Sequence, residues 1–122
     1  MTTTLDPSFL RSVVVMTMFS PKRMTRCQAA LLMLGLNGGE FTAAALPGEL
    51  TEGNRHVAGA ATGSLVATGL LTVTGRIKSP IENAKGRKLD VLRLASVETA
   101  KTWLHANGFT IPEIYSPQMS LI

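Results

Sequence analysis

The stretch from Ser64 to Lys78 reads SLVATGLLTVTGRIK, and its period changes at Gly69. Before that glycine, Ala58, Ala61, Leu65 and Thr68 recur at three- and four-residue steps. That spacing predicts a helix from Arg55 to about Thr68. Gly59 and Gly63 lie inside it, and each interior glycine costs about 1 kcal/mol against Ala. Gly69 stands where a C-terminal cap belongs. Beyond it, Leu71, Val73 and Ile77 alternate with Thr72, Thr74, Arg76 and Lys78. A period of two predicts a half-buried strand. Ser79-Pro80 breaks the strand, and a second one, Leu89 to Leu94, returns after Lys88. The two form a hairpin with a long tip.

Working upstream, Asp6-Pro7 reads as a cap followed by proline in the first helical position. Phe9, Leu10, Val13, Val14 and Met16 follow at helical spacing, although Val13-Val14-Val15 also suits a strand. Ser20-Pro21 repeats the cap signal ahead of a second helix, in which Met24, Cys27, Leu31 and Leu34 form a buried stripe. Gly35 and Asn37-Gly38-Gly39 end it. Thr42 caps a short helix through Ala43, Ala44 and Ala45, and Leu46-Pro47-Gly48 stops it. A polar connection runs from Gly48 to Gly53. Downstream of the hairpin, Ser96 caps a last helix with Val97, Ala100, Trp103 and Leu104 on its apolar face. Asn107-Gly108 closes it, with Phe109 placed for a contact after the cap. The division is an arm over 1–20, one domain over 21–109 and a tail over 110–122.

This order of helix, short helix, helix, strand, basic loop, strand and helix resembles the winged helix-turn-helix family. The likeness is closest to its MarR-like and PadR-like transcription regulators. It spans Pro21 to Phe109, and its best local match is Leu65-Val66-Ala67-Thr68-Gly69-Leu70-Leu71. There a recognition helix would end and step through Gly-Leu into the first wing strand. Lys85-Gly86-Arg87-Lys88-Leu89 is similar to the basic descent of a wing into its return strand. The resemblance implies an α+β fold, a mostly helical winged helix-turn-helix with a two-stranded antiparallel wing. It also implies that Asn54, Arg55, His56, Gly59, Ala60 and Gly63 face the major groove, with Arg55 suited to guanine and Asn54 to adenine. A homodimer reading two half-sites is expected on the same basis. The dimer surfaces would be Phe9 to Met18, the Trp103 helix or the Ile111 to Ile122 tail.

The 122 residues carry 12 Lys and Arg against 8 Asp and Glu, a net charge of +4. That charge is segregated. Arg76, Lys78, Lys85, Arg87, Lys88 and Arg93 face only Glu82 and Asp90, so the hairpin alone holds +4. A loop of this kind suits phosphates and a narrow minor groove. It equally suits a solvated hairpin whose charges prevent edge-to-edge pairing. Arg11, Lys22, Arg23 and Arg26 hold another +4, and the remaining chain sums to −4. Lys22 and Arg23 sit in the first turn of a helix, where cations oppose the dipole and a phosphate would relieve them.

Hydrophobic residues make up 45% of the chain, which excludes disorder as its main state. One cysteine excludes an internal disulfide and argues against structural zinc. Cys27 lies on an apolar stripe and reads as a buried thiol. His56 and His105 have no acid or Cys at ligand spacing, so no metal and no cofactor is expected. Gly59 to Ser64 follows no strand and lacks the Lys of a phosphate loop. Glu40, Glu49 and Glu52 form no acid/base pair, and an enzyme is not expected. Val57 to Gly75 is uncharged over a span's length, but its Thr and Gly content speaks against a membrane helix. A cytoplasmic setting fits. Two functions stay open: a DNA-binding regulator, or a protein-binding module using Gly59, Ala60, Gly63 and Ser64, since small residues let backbones approach.

Overall fold

The computed structural model describes residues 7–18, 20–51, 56–78 and 88–109. The chain is α+β. Helices α1 (Pro7–Thr17) and α2 (Arg23–Leu36) lead to a single 3-10 turn, Ala43–Ala45. Helices α3 (Gly48–Thr51) and α4 (His56–Ala67) follow. Strands β1 (Leu71–Lys78) and β2 (Lys88–Leu94) then form an antiparallel hairpin, and α5 (Val97–Ala106) ends the described fold. The order is consistent with a winged-helix-like fold, with α3 and α4 as the helix pair and β1–β2 as the hairpin wing. Among the described residues no helix is long and apolar enough to cross a membrane.

The core centres on α2. Residues Ala29 to Gly35 are all buried, so the helix is enclosed around its last two turns rather than along one stripe. Met24, expected on that stripe, is 37% exposed because it lies in the first turn, beyond the packed elements. Phe9 and Val13 of α1 bury against the same core, as do Leu50, Ala61, Leu65, Leu92 and Leu104. Thus α1 covers its own domain with one face.

Two helix ends follow from glycine. Gly69 and Gly108 both have φ of +83°, which only glycine adopts without strain. At each, two backbone bonds close the helix. Leu70 N–H donates to Leu65 O at 2.9 Å and Gly69 N–H to Val66 O at 3.1 Å. Phe109 N–H donates to Leu104 O at 2.9 Å and Gly108 N–H to His105 O at 3.1 Å. The expected contact after the second cap is a stack of Phe109 on Trp103, with ring centroids 6.1 Å apart. Ser96 caps α5 as predicted, accepting from Thr99 N–H at 3.3 Å.

Four expectations change. Ser20-Pro21 does not start α2; Lys22 is the N-cap and makes no side-chain bond there. Ser20 is instead buried in the turn, its N–H donating to Thr17 O. Thr42 is the N-cap of the 3-10 turn, as expected, but its side chain makes no cap bond. Phe41 and Leu92 exchange both backbone bonds, at 2.9 and 2.7 Å, so Phe41 adds a one-residue third strand beside β2. The connection from Gly48 is the helix α3, placed by the buried Leu50. Finally, β1 does not alternate throughout. The pairing runs Val73 with Leu92, then Gly75 with Val91, leaving Thr74 as a bulge. Of β1's expected apolar face only Leu71 is buried, while Val73 and Ile77 are exposed. Asp6 and the tail over 110–122 lie outside the described residues.

Candidate nucleic-acid interface

The bulge at Thr74 decides what the wing presents. Directly paired residues of an antiparallel ladder share a face, and every second residue of β2 shares it too. Val73–Leu92, Arg76–Asp90 and the pair of positions 78 and 88 are therefore three successive rows on one face. Without the extra residue, Arg76 would share a face with Thr72 and Thr74. The Thr74 hydroxyl donates to Val91 O at 3.4 Å across the irregularity. The innermost row is apolar and belongs to the core through Leu92. The middle row is an ion pair, with Arg76 Nε donating to Asp90 Oδ1 at 3.0 Å. Ile77 pairs with Leu89 on the alternate rows and remains exposed.

That wing face looks across a groove at α4. The groove has a volume of about 560 Å³ and lies between Gly59, Thr62, Gly63 and Val66 on one side and Val73, Arg76 and Asp90 on the other. At 3.6 residues per turn, Val57, Ala61 and Leu65 form the buried face of α4, and Thr62, Val66 and Gly59 turn toward the wing. His56, Ala60, Gly63 and Ala67 complete the exposed stripe. Ser64 turns to α2, where Gln28 Nε2 donates to its hydroxyl at 2.8 Å. The exposed stripe is thus bounded by the wing on one flank and by α2 on the other.

The second basic cluster is at the start of α2. Lys22 and Arg23 are exposed there. Arg26 is half-buried and engaged within the α1–α2 turn. Its Nη2 donates to Pro21 O at 3.3 Å, and its Nη1 lies 3.6 Å from Met18 Sδ. It ties the turn together, which leaves Lys22 and Arg23 as the cations open to a ligand.

Cys27 is fully buried and donates to Leu50 O at 3.4 Å. Burial pushes its thiol above the ordinary range, and the nearby cations Arg23 and Arg26 only partly oppose this. A thiol held neutral is a structural group, as the apolar stripe predicted. Among the described residues no three His, Cys, Asp or Glu side chains gather as metal ligands.

Of the residues singled out in the sequence, the fold gathers Lys22, Arg23 and Arg26 at one helix start. It sets Arg76 beside α4 and pairs positions 78 and 88 beyond it. His56 begins α4 and is exposed. Asn54, Arg55, Lys85 and Arg87 lie outside the described residues. Sequence reasoning missed Asp90 as the partner of Arg76, because the bulge that aligns them leaves no local signature. No model of a known family matches the chain, and neither curated proteins nor solved structures match it.

Proposed function

We propose that this chain is a winged-helix DNA-binding protein without catalytic activity, acting in the cytoplasm as a dimeric transcription regulator. The observation that carries the reading is the wing. Its register sets the wing face that carries Arg76 across a groove from α4, beside the exposed stripe of the helix that this architecture offers to a duplex. Wing cations then hold phosphates, and the stretch entering α4, with Asn54, Arg55 and His56, reads bases. The rest of α4's exposed stripe carries only small side chains, so it lies against the duplex without reading it. For the dimer, the outer side of α1 offers Val15, 70% exposed, and Met18.

A protein-binding use of the same small-residue face is the second reading, favoured by the exposed Gly59, Ala60 and Gly63. Ser64 contributes less to it than its sequence position suggests, since its hydroxyl is already held by Gln28.

Fluorescence anisotropy with a labelled mixed-sequence duplex tests the DNA reading. Binding is expected in the micromolar range at low salt, falling steeply as salt rises. Arg87→Ala with Lys88→Ala weakens binding to every duplex, whereas Arg55→Ala relaxes preference at one base position. Absence of binding to any duplex at about 50 mM salt refutes the reading.

A further inference from the structure

We infer that Met18 is a site of oxidation to the sulfoxide by hydrogen peroxide, and that Arg26 receives the added oxygen, so that oxidation tightens the turn between α1 and α2.

Three observations support it. The first is the contact itself. Arg26 Nη1 donates to Met18 Sδ at 3.6 Å. A thioether is a weak acceptor, whereas a guanidinium offers five N–H donors in a rigid fork. The second is what Arg26 lacks. Its Nη2 reaches Pro21 O at 3.3 Å, and its Nε is buried with no partner among the described residues. No carboxylate pairs with it among the described residues, and Lys22 and Arg23 add like charge nearby in the chain. A buried donor left unmet is costly, so a stronger acceptor at this place is stabilising. The third is access. Met18 is 44% exposed, whereas Met33 is fully buried and Met16 packs against the core. The backbone holds Met18 in position, with its N–H donating to Val14 O at 3.0 Å and Ser20 N–H donating to Thr17 O at 3.3 Å.

The step balances. A sulfur lone pair attacks one peroxide oxygen, and the O–O bond breaks. The departing hydroxide takes the proton left on the transferred oxygen and leaves as water. The sulfur is oxidised by two electrons and the peroxide is reduced by two. The new oxygen, carried on a sulfur 3.6 Å from Nη1, lies within hydrogen-bond reach of it. A weak acceptor facing a cation is thereby replaced by a strong one. Methionine oxidation ordinarily loosens a protein, because it makes an apolar side chain polar. At Met18 the expected sign is the opposite.

Full-length chain treated with hydrogen peroxide tests this. Mass spectrometry of its peptides gives the sulfoxide content at Met18 and at Met24, the latter 37% exposed and serving as the internal comparison. Thermal unfolding gives Tm before and after treatment. Comparison with Met18→Leu cancels the effects of the other methionines. The change in Tm on oxidation is expected to be more favourable in the unaltered chain than in Met18→Leu by about 3 °C. In an Arg26→Leu background that advantage is expected to vanish. Should Arg26→Leu not fold, Arg26→Lys keeps the charge without the fork and is expected to retain less than half of it. Met18 left reduced while Met24 is oxidised, equal changes in the unaltered and Met18→Leu chains, or an undiminished advantage in the Arg26 variant overturns the inference.

Discussion

A methyl group added at Gly35 and one added at Gly63 have opposite consequences, although both residues are helical glycines. At Gly35 the new Cβ would lie 2.6 Å from Leu94 Cγ and 2.8 Å from its Cδ2. Leu94 ends β2 and packs on α2 there, so its side chain has to shift. Overpacking costs about 1–3 kcal/mol, which outweighs the gain of about 1 kcal/mol in helix propensity. Gly35→Ala is therefore expected to lower the free energy of urea unfolding, by about 1 kcal/mol. Gly63 has open space beside it, so Gly63→Ala raises the same quantity by about 0.5–1 kcal/mol. Equal effects of the two variants would contradict the packing described. Cys27 gives a prediction in pH. Its folded thiol titrates above the ordinary range, so above that range the unfolded chain loses a proton that the folded chain keeps. Stability contributed at Cys27 is complete below the ordinary thiol pKa and declines as pH rises from there toward the folded value. The stability difference between the unaltered chain and Cys27→Ala should shift against the unaltered chain from neutral pH to mildly alkaline pH. A constant difference would mean that the thiol is not held neutral.

Helix α4 depends on its neighbours. Twelve residues are too few for an isolated helix, and two of them are interior glycines. What holds it is the burial of Val57, Ala61 and Leu65, the Gln28–Ser64 bond and the cap at Gly69. A synthetic peptide covering 55–69 is expected to show no helix by circular dichroism, and Gly69→Ala to cost the whole protein about 1 kcal/mol. Strong helicity in the peptide would show that local propensity alone suffices. The same distinction explains what the sequence revealed. Gly69 and Gly108 were legible as caps because a left-handed residue is a local requirement. The wing was legible as two strands because alternation is also local. Its bulge was not, since Thr74 is extra only in relation to β2. Phe41 was missed because a single bridge has no period, and α3 because four residues are too short to show one. The basic residues of the candidate site could be named from the sequence, but the Arg76–Asp90 pairing that aims one of them could not.

At the scale of the molecule, α4 is bordered by the wing and by α2, the two elements in or beside which the basic residues of the sequence concentrate. The wing borders it through Thr62, Gly63 and Val66. Helix α2 borders it through Gln28, and Cys27, just past the first turn of α2, meets Leu50 of α3. In the sequence, the net charge of +4 is the sum of two segments of +4 each, Arg11 to Arg26 and Arg76 to Arg93, and a remainder of −4. A duplex lying along the exposed stripe of α4 would be gripped from both sides, which a single patch cannot achieve. Contacts to separate phosphates contribute separately to the salt dependence, at about 0.9 in the log–log slope for each. Lys22→Ala with Arg23→Ala should therefore lower the slope, and so should Lys78→Ala with Lys88→Ala. The four-residue variant should lose the sum of the two, because the two pairs stand on different elements of the chain. A slope unchanged by the first pair would place the start of α2 away from the duplex. In that case the wing alone would be the electrostatic contact.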